Sequence, residues 1–122
     1  MLSDETIARV IRFRDDRNWR QFHNPKDLAI SLNLEAAELL ELFQWSGTDL
    51  ECRDKLPQIR EELADVLSYC ISIADVYGLD LDEILNEKVT KNEQKYPVEL
   101  AWGSSAKYTE LKETARKNSG QR

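Results

Sequence analysis

"PQIREELADVLSYCISIADVYG", Pro57–Gly78, is the stretch that decides the fold. Stepped at about 100° per residue, Ile59, Leu63, Val66, Leu67, Cys70, Ile73 and Tyr77 share one broad arc, and Tyr69 and Val76 extend it. A periodic run of this length, opened by proline and closed by glycine, predicts a helix and not a strand. Two acids disturb it. Glu62 projects between Tyr69 and Ile73, inside the apolar arc, and Asp65 lies at its edge beside Val76. Glu61 and Ser68 point the other way, towards solvent.

The same disturbance occurs upstream in "LNLEAAELLELFQW", Leu32–Trp45. Glu35 falls between the directions of Leu39 and Leu42, and Glu38 and Glu41 continue along one flank. Each helix therefore offers an acidic pair three residues apart, hence side by side on its surface: Glu35 with Glu38, and Glu62 with Asp65. A half-buried carboxylate without a partner either protonates or finds a cation. No simple set of lysines or arginines alternates with these four acids. One such pair is common surface decoration. Two pairs at apolar borders leave two readings open, a solvated acidic flank and a site for a hard divalent ion, which takes oxygen ligands.

Working outward, helix-period patterning dominates and strand alternation is absent. Ser3 reads as an N-cap with Asp4 and Glu5 in the first turn, and Ile7, Val10 and Ile11 begin a stripe running towards Arg17. "DRNWRQFHNP" breaks the period and reads as a loop carrying Trp19, Phe22 and His23. Asn24-Pro25 opens a second helix that runs to about Trp45, and Ser46-Gly47 ends it. The third helix runs from near Pro57 to Tyr77. Asp80 with Glu83 resembles a capping box for a fourth, Leu81 to about Tyr96, stopped by Pro97. The expectation is an all-α fold, an antiparallel bundle of four main helices over residues 1–97 that assembles as an oligomer. Residues 98–122 read as a flexible tail with one short helix around Tyr108 to Ala115. Trp102 is an isolated anchor there, suited to packing against the body or a neighbouring subunit.

Composition narrows the function. The chain has 122 residues, 41% hydrophobic and 33% charged, enough for one domain. A net charge of −6 and a pI of about 4.9 argue against general binding to a nucleic-acid polymer. Cys52 and Cys70 are too few for a disulfide framework and lack metal-site spacing; Cys70, on the apolar face, reads as a buried small hydrophobe. There is no apolar signal core and no run long enough to span a bilayer, so a cytoplasmic protein without membrane contact is expected.

At these motifs a family becomes recognisable. "LEAAELLELFQW", followed about two dozen residues later by "EELADVLSY", resembles the acidic signature of the MazG-like, all-α nucleoside triphosphate pyrophosphohydrolases, E-E-x-x-E, a spacer, then E-x-x-D. "LFQW", "NWRQFHNPKDLAISL" and "NEKVTKNEQKYP" look especially like the branch that hydrolyses dCTP. The resemblance covers roughly Phe13 to Pro97. The first Glu of the pattern is Leu34 here, a departure that branch shares.

The resemblance implies Glu35, Glu38, Glu62 and Asp65 as ligands of Mg²⁺, with Mn²⁺ as a substitute. It implies hydrolysis of a nucleoside triphosphate, with dCTP or a modified dCTP favoured, to monophosphate and pyrophosphate by water attacking the α-phosphorus, in the service of nucleotide-pool cleansing. It also implies a homo-oligomer, dimer or tetramer. Glu38 is the first choice of general base and Glu41 the second. Lys88, Asn92 and Lys95 share one stripe of the fourth helix; they suit phosphate, or form a solvated basic face near a helix C-terminus. Trp19, Phe22 and Trp45 fit the walls of a base pocket, as aromatic rings stack on bases, although tryptophan is also a common core residue. His23 fits a base or phosphate pocket. Tyr69, one turn beyond Asp65, fits support of the sugar or metal site, or a place in the core.

Two alternatives stand beside this reading. One is a pyrophosphohydrolase acting on another dNTP or a phosphoribosyl pyrophosphate compound. The other is a non-catalytic helical interaction module whose acids are only surface charge.

Overall fold

A computed structural model describes residues 2–104. Their regular structure is entirely helical, with no strand among the described residues. The chain divides after Leu79 into two compact units. The first holds α1 (Asp4–Asp16), α2 (Pro25–Glu41) and α3 (Leu56–Tyr77), with short 3₁₀ turns at Trp19–Phe22 and Arg53–Lys55. The second holds α4 (Leu81–Lys95) and the one-turn α5 (Val98–Ala101). The expected helix around Tyr108 lies outside the described residues; the helical turn in this region follows Pro97, whose fixed φ suits a helix start.

The caps are those expected from local chemistry. Ser3 Oγ accepts from the Thr6 N–H at 3.2 Å, Asn24 Oδ1 from Asp27 N–H at 2.9 Å, and Asp80 Oδ1 from Glu83 N–H at 3.1 Å. Each satisfies a donor the helix leaves free. At the end of α3, Gly78 takes φ 65°. The Leu79 N–H then reaches Ala74 O at 2.8 Å and the Gly78 N–H reaches Asp75 O at 3.1 Å, a Schellman closure.

α2 ends at Glu41, four residues before Trp45. Leu42, Phe43 and Gln44 bond back to Leu39, Leu40 and Glu41, so the last turn tightens to i→i+3 spacing. Lys55 then donates from Nζ to the Leu42 carbonyl at 3.0 Å, taking up one acceptor at the helix end. This contact joins the start of α3 to the end of α2, while Glu35 meets Glu62 further along both. The two helices therefore run antiparallel.

The α2–α3 seam is not centred where the apolar arc was expected to be. Along α3 the stripe Ile59, Glu62, Val66, Tyr69, Ile73 and Val76 is shielded throughout, whereas Leu63 and Leu67 stay 48% and 43% exposed. On α2 the seam carries Leu28, Leu32, Glu35, Leu39 and Leu42. Both sets repeat alternately at three and four residues, the narrow stripe of a helix pair. The residues buried deepest are Leu28, Cys52, Ile71 and Ala74, with Arg14 and Ser72. Cys52, not Cys70, is the fully buried thiol. It has left-handed φ 46° at the start of the 3₁₀ turn, and Asp49 Oδ1 accepts from the Glu51 and Cys52 N–H groups. Cys70 is only half-buried, and both thiols are free.

Candidate metal and nucleotide site

Glu35 sits in the middle of the α2 seam and Glu62 in the middle of the α3 seam, so packing the two helices brings the carboxylates together. Asp65, one turn beyond Glu62 and exposed, joins them. Oxygens of Glu35, Glu62 and Asp65 all lie within 4.8 Å of one another. The Oε2 atoms of Glu35 and Glu62 are shielded from solvent, and neither has a hydrogen-bond donor among the described residues. Burial, then the neighbouring Glu38 carboxyl, then the charge of Asp65, push the Glu35 and Glu62 acids up from their ordinary value. Three converging carboxylates with two orphaned oxygens are a donor set for a hard, oxygen-preferring cation. Glu38 adjoins both seam acids but is exposed, and Glu41 is exposed one turn further on.

A cavity of about 430 Å³ opens beside this cluster, lined by α1, the Trp19–Phe22 turn and α3. Asp65 belongs to both features. Trp19, His23 and Tyr69 line the cavity with Val10 and Phe13. The Trp19 ring stands edge-on to Phe13, centroids 5.7 Å apart, and the Arg17 guanidinium lies 3.8 Å over the Phe13 ring, so this wall is braced. Burial, then the charge of Arg14, push His23 below its ordinary value, a shift that favours the neutral imidazole.

Of the other residues singled out, Phe22 and Trp45 do not line this cavity. Both are exposed, Trp45 at 88%, because it rides the turn beyond the true end of α2. Lys88 is exposed and Asn92 half-buried on α4, where Lys95 stands in the last turn.

Sequence reasoning missed Arg14. It is 2% exposed and lines the cavity, and it ion-pairs across to Asp75 on α3 at 2.9 Å. The signal was present: Ile7, Val10, Ile11 and Arg14 continue one helical stripe, so a cation occupies an apolar position of α1 as Glu62 does on α3.

Residues 30–111 match the MazG-like family. The chain is 41% identical over 113 residues to mouse dCTP pyrophosphatase 1, and 40% identical over 114 residues to the human protein of that name. Each match covers 88% of this chain and 66% of the relative, so the chain spans just under two thirds of their length. The crystal structure of a pyrophosphatase from Archaeoglobus fulgidus superimposes with a TM-score of 0.72 at 41% identity, covering 77% of this chain and 91% of that one.

Proposed function

From this chain's membership of the MazG-like family, we propose that it hydrolyses a nucleoside triphosphate to the monophosphate and pyrophosphate, with dCTP or a modified dCTP as the favoured substrate. The observation that carries this reading is Asp65: it belongs both to a three-carboxylate group and to the wall of an aromatic cavity. A ligand with a polyanionic end and a flat apolar end is what two such features, sharing one residue, would hold. The curated relatives named dCTP pyrophosphatase 1 support the same substrate class.

In this reading Glu35, Glu62 and Asp65, with Glu38 beside them, hold Mg²⁺, for which Mn²⁺ substitutes. Held there, the cation would supply positive charge against the triphosphate and would acidify a water. Glu38, exposed next to the seam acids, is the proposed acceptor of the proton from the water that attacks the α-phosphorus, with Glu41, next along the same flank, as the second choice. The Trp19 ring, braced by Phe13, offers a face for the base. His23, as a neutral imidazole, would offer one lone pair and one N–H, and Tyr69 lines the same cavity as Asp65. Lys88, Asn92 and Lys95 on α4 are proposed as phosphate contacts, and Phe22 and Trp45 as further cover for the base.

Homo-oligomerisation, as dimer or tetramer, belongs to the same proposal. Leu34, Leu40, Leu63 and Leu67 are all exposed on α2 and α3, apolar side chains that a second copy would cover. The two free thiols suit a cytoplasmic setting, and among the described residues no helix is long and apolar enough to cross a membrane.

The test is the full chain with Mg²⁺ and a panel of dNTPs. Pyrophosphate released without orthophosphate, fastest from dCTP, is the expected result; absence of turnover on every nucleotide would sink the proposal.

A further inference from the structure

Arg14 is a buried cation whose fork is only partly used. Its Nε donates to Asp15 Oδ1 at 2.9 Å. Its Nη2 pairs with Asp15 Oδ1 and Asp75 Oδ2, each at 2.9 Å. One carboxylate comes from its own helix and the other from α3, so the guanidinium plane is pinned from two directions. Nη1 is left over: it is shielded from solvent and has no hydrogen-bond partner. Buried donors are rarely left so, because an unmade bond there is costly. Arg14 lines the 430 Å³ cavity, and His23, whose Nδ1 is also buried without a partner, lines it too.

The surroundings decide what Nη1 addresses. Val10, Phe13, Trp19 and Tyr69 form the apolar part of the cavity wall, Asp65 is its one acid, and Thr6, Arg9, Ser68 and Ser72 complete the lining beside Arg14 and His23. The Phe13, Trp19 and Tyr69 side of the cavity suits a flat ring better than a phosphate, and Glu35 and Glu62, which lie with Asp65 outside that wall, would hold the cation that a triphosphate needs. Guanidinium N–H groups carry positive charge, and they favour a strong oxygen acceptor. Cytosine has one carbonyl oxygen, O2, and adenine has none.

Resting on the nucleotide reading above, we propose that Arg14 is a specificity-determining residue, donating from Nη1 to the O2 carbonyl of a pyrimidine base held in the Trp19 cavity. Asp15 and Asp75 position the donor in advance, so binding requires little reordering of the side chain. A site built to hydrogen-bond a polar ligand atom discriminates strongly against ligands that lack it, since its own buried group is then left unpaired.

The test compares kcat/KM for dCTP and dATP in the wild-type full chain and in Arg14→Lys, which keeps a cation for Asp15 and Asp75 and loses the planar fork. The expected result is a fall of about 10- to 100-fold on dCTP with dATP near its wild-type value, so that discrimination collapses. Equal losses on both nucleotides would make Arg14 a strut or a phosphate contact and overturn the proposal, as would a wild-type enzyme that does not distinguish them. If Arg14→Lys does not fold, the wild type alone decides through 2-thio-dCTP, whose sulfur is a poor acceptor at that position. A loss of about tenfold is expected, and full activity overturns the assignment. A wild type that turns over no nucleotide defeats the proposed function itself, a distinct outcome.

Discussion

Replacing Glu35 by Gln separates a cation site from a decorative acidic flank by thermodynamics alone. The carboxylate sits in the α2–α3 seam, with oxygens of Glu62 and Asp65 within 4.8 Å and its own Oε2 lacking a donor. Burial and these like charges raise its proton affinity above the ordinary value of 4.5. The native state therefore binds protons more tightly than the unfolded chain. In the absence of metal, stability is greatest below that ordinary value and is lost as pH rises through the raised native value. Mg²⁺ at about a hundred times its Kd adds about 2.7 kcal/mol, which for a chain of this length shifts Tm by roughly 10 °C. If the substitution weakens binding about a hundredfold, the remaining increment is RT ln 2, about 0.4 kcal/mol, a shift under about 2 °C. Glu35→Gln should therefore match or slightly exceed wild-type Tm in a chelator, and fall well below it in Mg²⁺. Differential scanning fluorimetry with and without the ion, at neutral pH and again near pH 5, reads all four quantities. A variant that keeps the full Mg²⁺ shift, or a wild type that shows none, refutes the cation reading.

Three further outcomes test the fold that carries the site. Leu28→Ala empties a position that is 1% exposed on the α2 seam and should cost about 2–5 kcal/mol, read as a lower urea midpoint at unchanged slope. Gly78→Ala forces a β-carbon onto a residue at φ 65° with open space around it. The penalty is then backbone strain alone, about 1 kcal/mol, and a loss several times larger would mean the Schellman closure does more than end α3. Leu63→Glu places a charge on the exposed apolar face of α3. If the chain assembles as proposed, the variant should sediment as smaller species than the wild type while leaving far-UV helicity intact, and an unchanged sedimentation coefficient would remove that face from the proposed interface.

Helix positions were legible because caps and breakers act over three or four residues: Ser3, Asn24, Asp80 and Gly78 do what their local chemistry dictates. The end of α2 was misjudged because nothing in "LFQW" marks where an i→i+4 ladder gives way to i→i+3 bonds. What settles it is Lys55, thirteen residues away, reaching back to Leu42. The orientation of α3 was misjudged for a related reason. Its apolar arc is wider than one partner can cover, and periodicity reports the arc's width without saying which half faces α2. Leu63 and Leu67 lie in the half that this chain leaves exposed.

The charges were a better guide to the site than the apolar residues were. Glu35 and Glu62 stood out in the sequence because they interrupt helical stripes, and packing places them in the α2–α3 seam with one oxygen each unserved. Arg14 interrupts the α1 stripe in the same way, and it too is left with one unserved nitrogen. A fold that only needed to fill these positions would use leucine, since a buried charge with an unpaired polar atom is among the costlier things a helix seam can hold. The unpaired atoms are of opposite kinds, acceptors at the carboxylates and a donor at Arg14, and Asp65 and Arg14 line one cavity. One ligand carrying cation-bound phosphates at one end and a carbonyl-bearing ring at the other, as proposed, would satisfy both sets at once and tie the misplaced acids and the overlooked arginine to a single binding event.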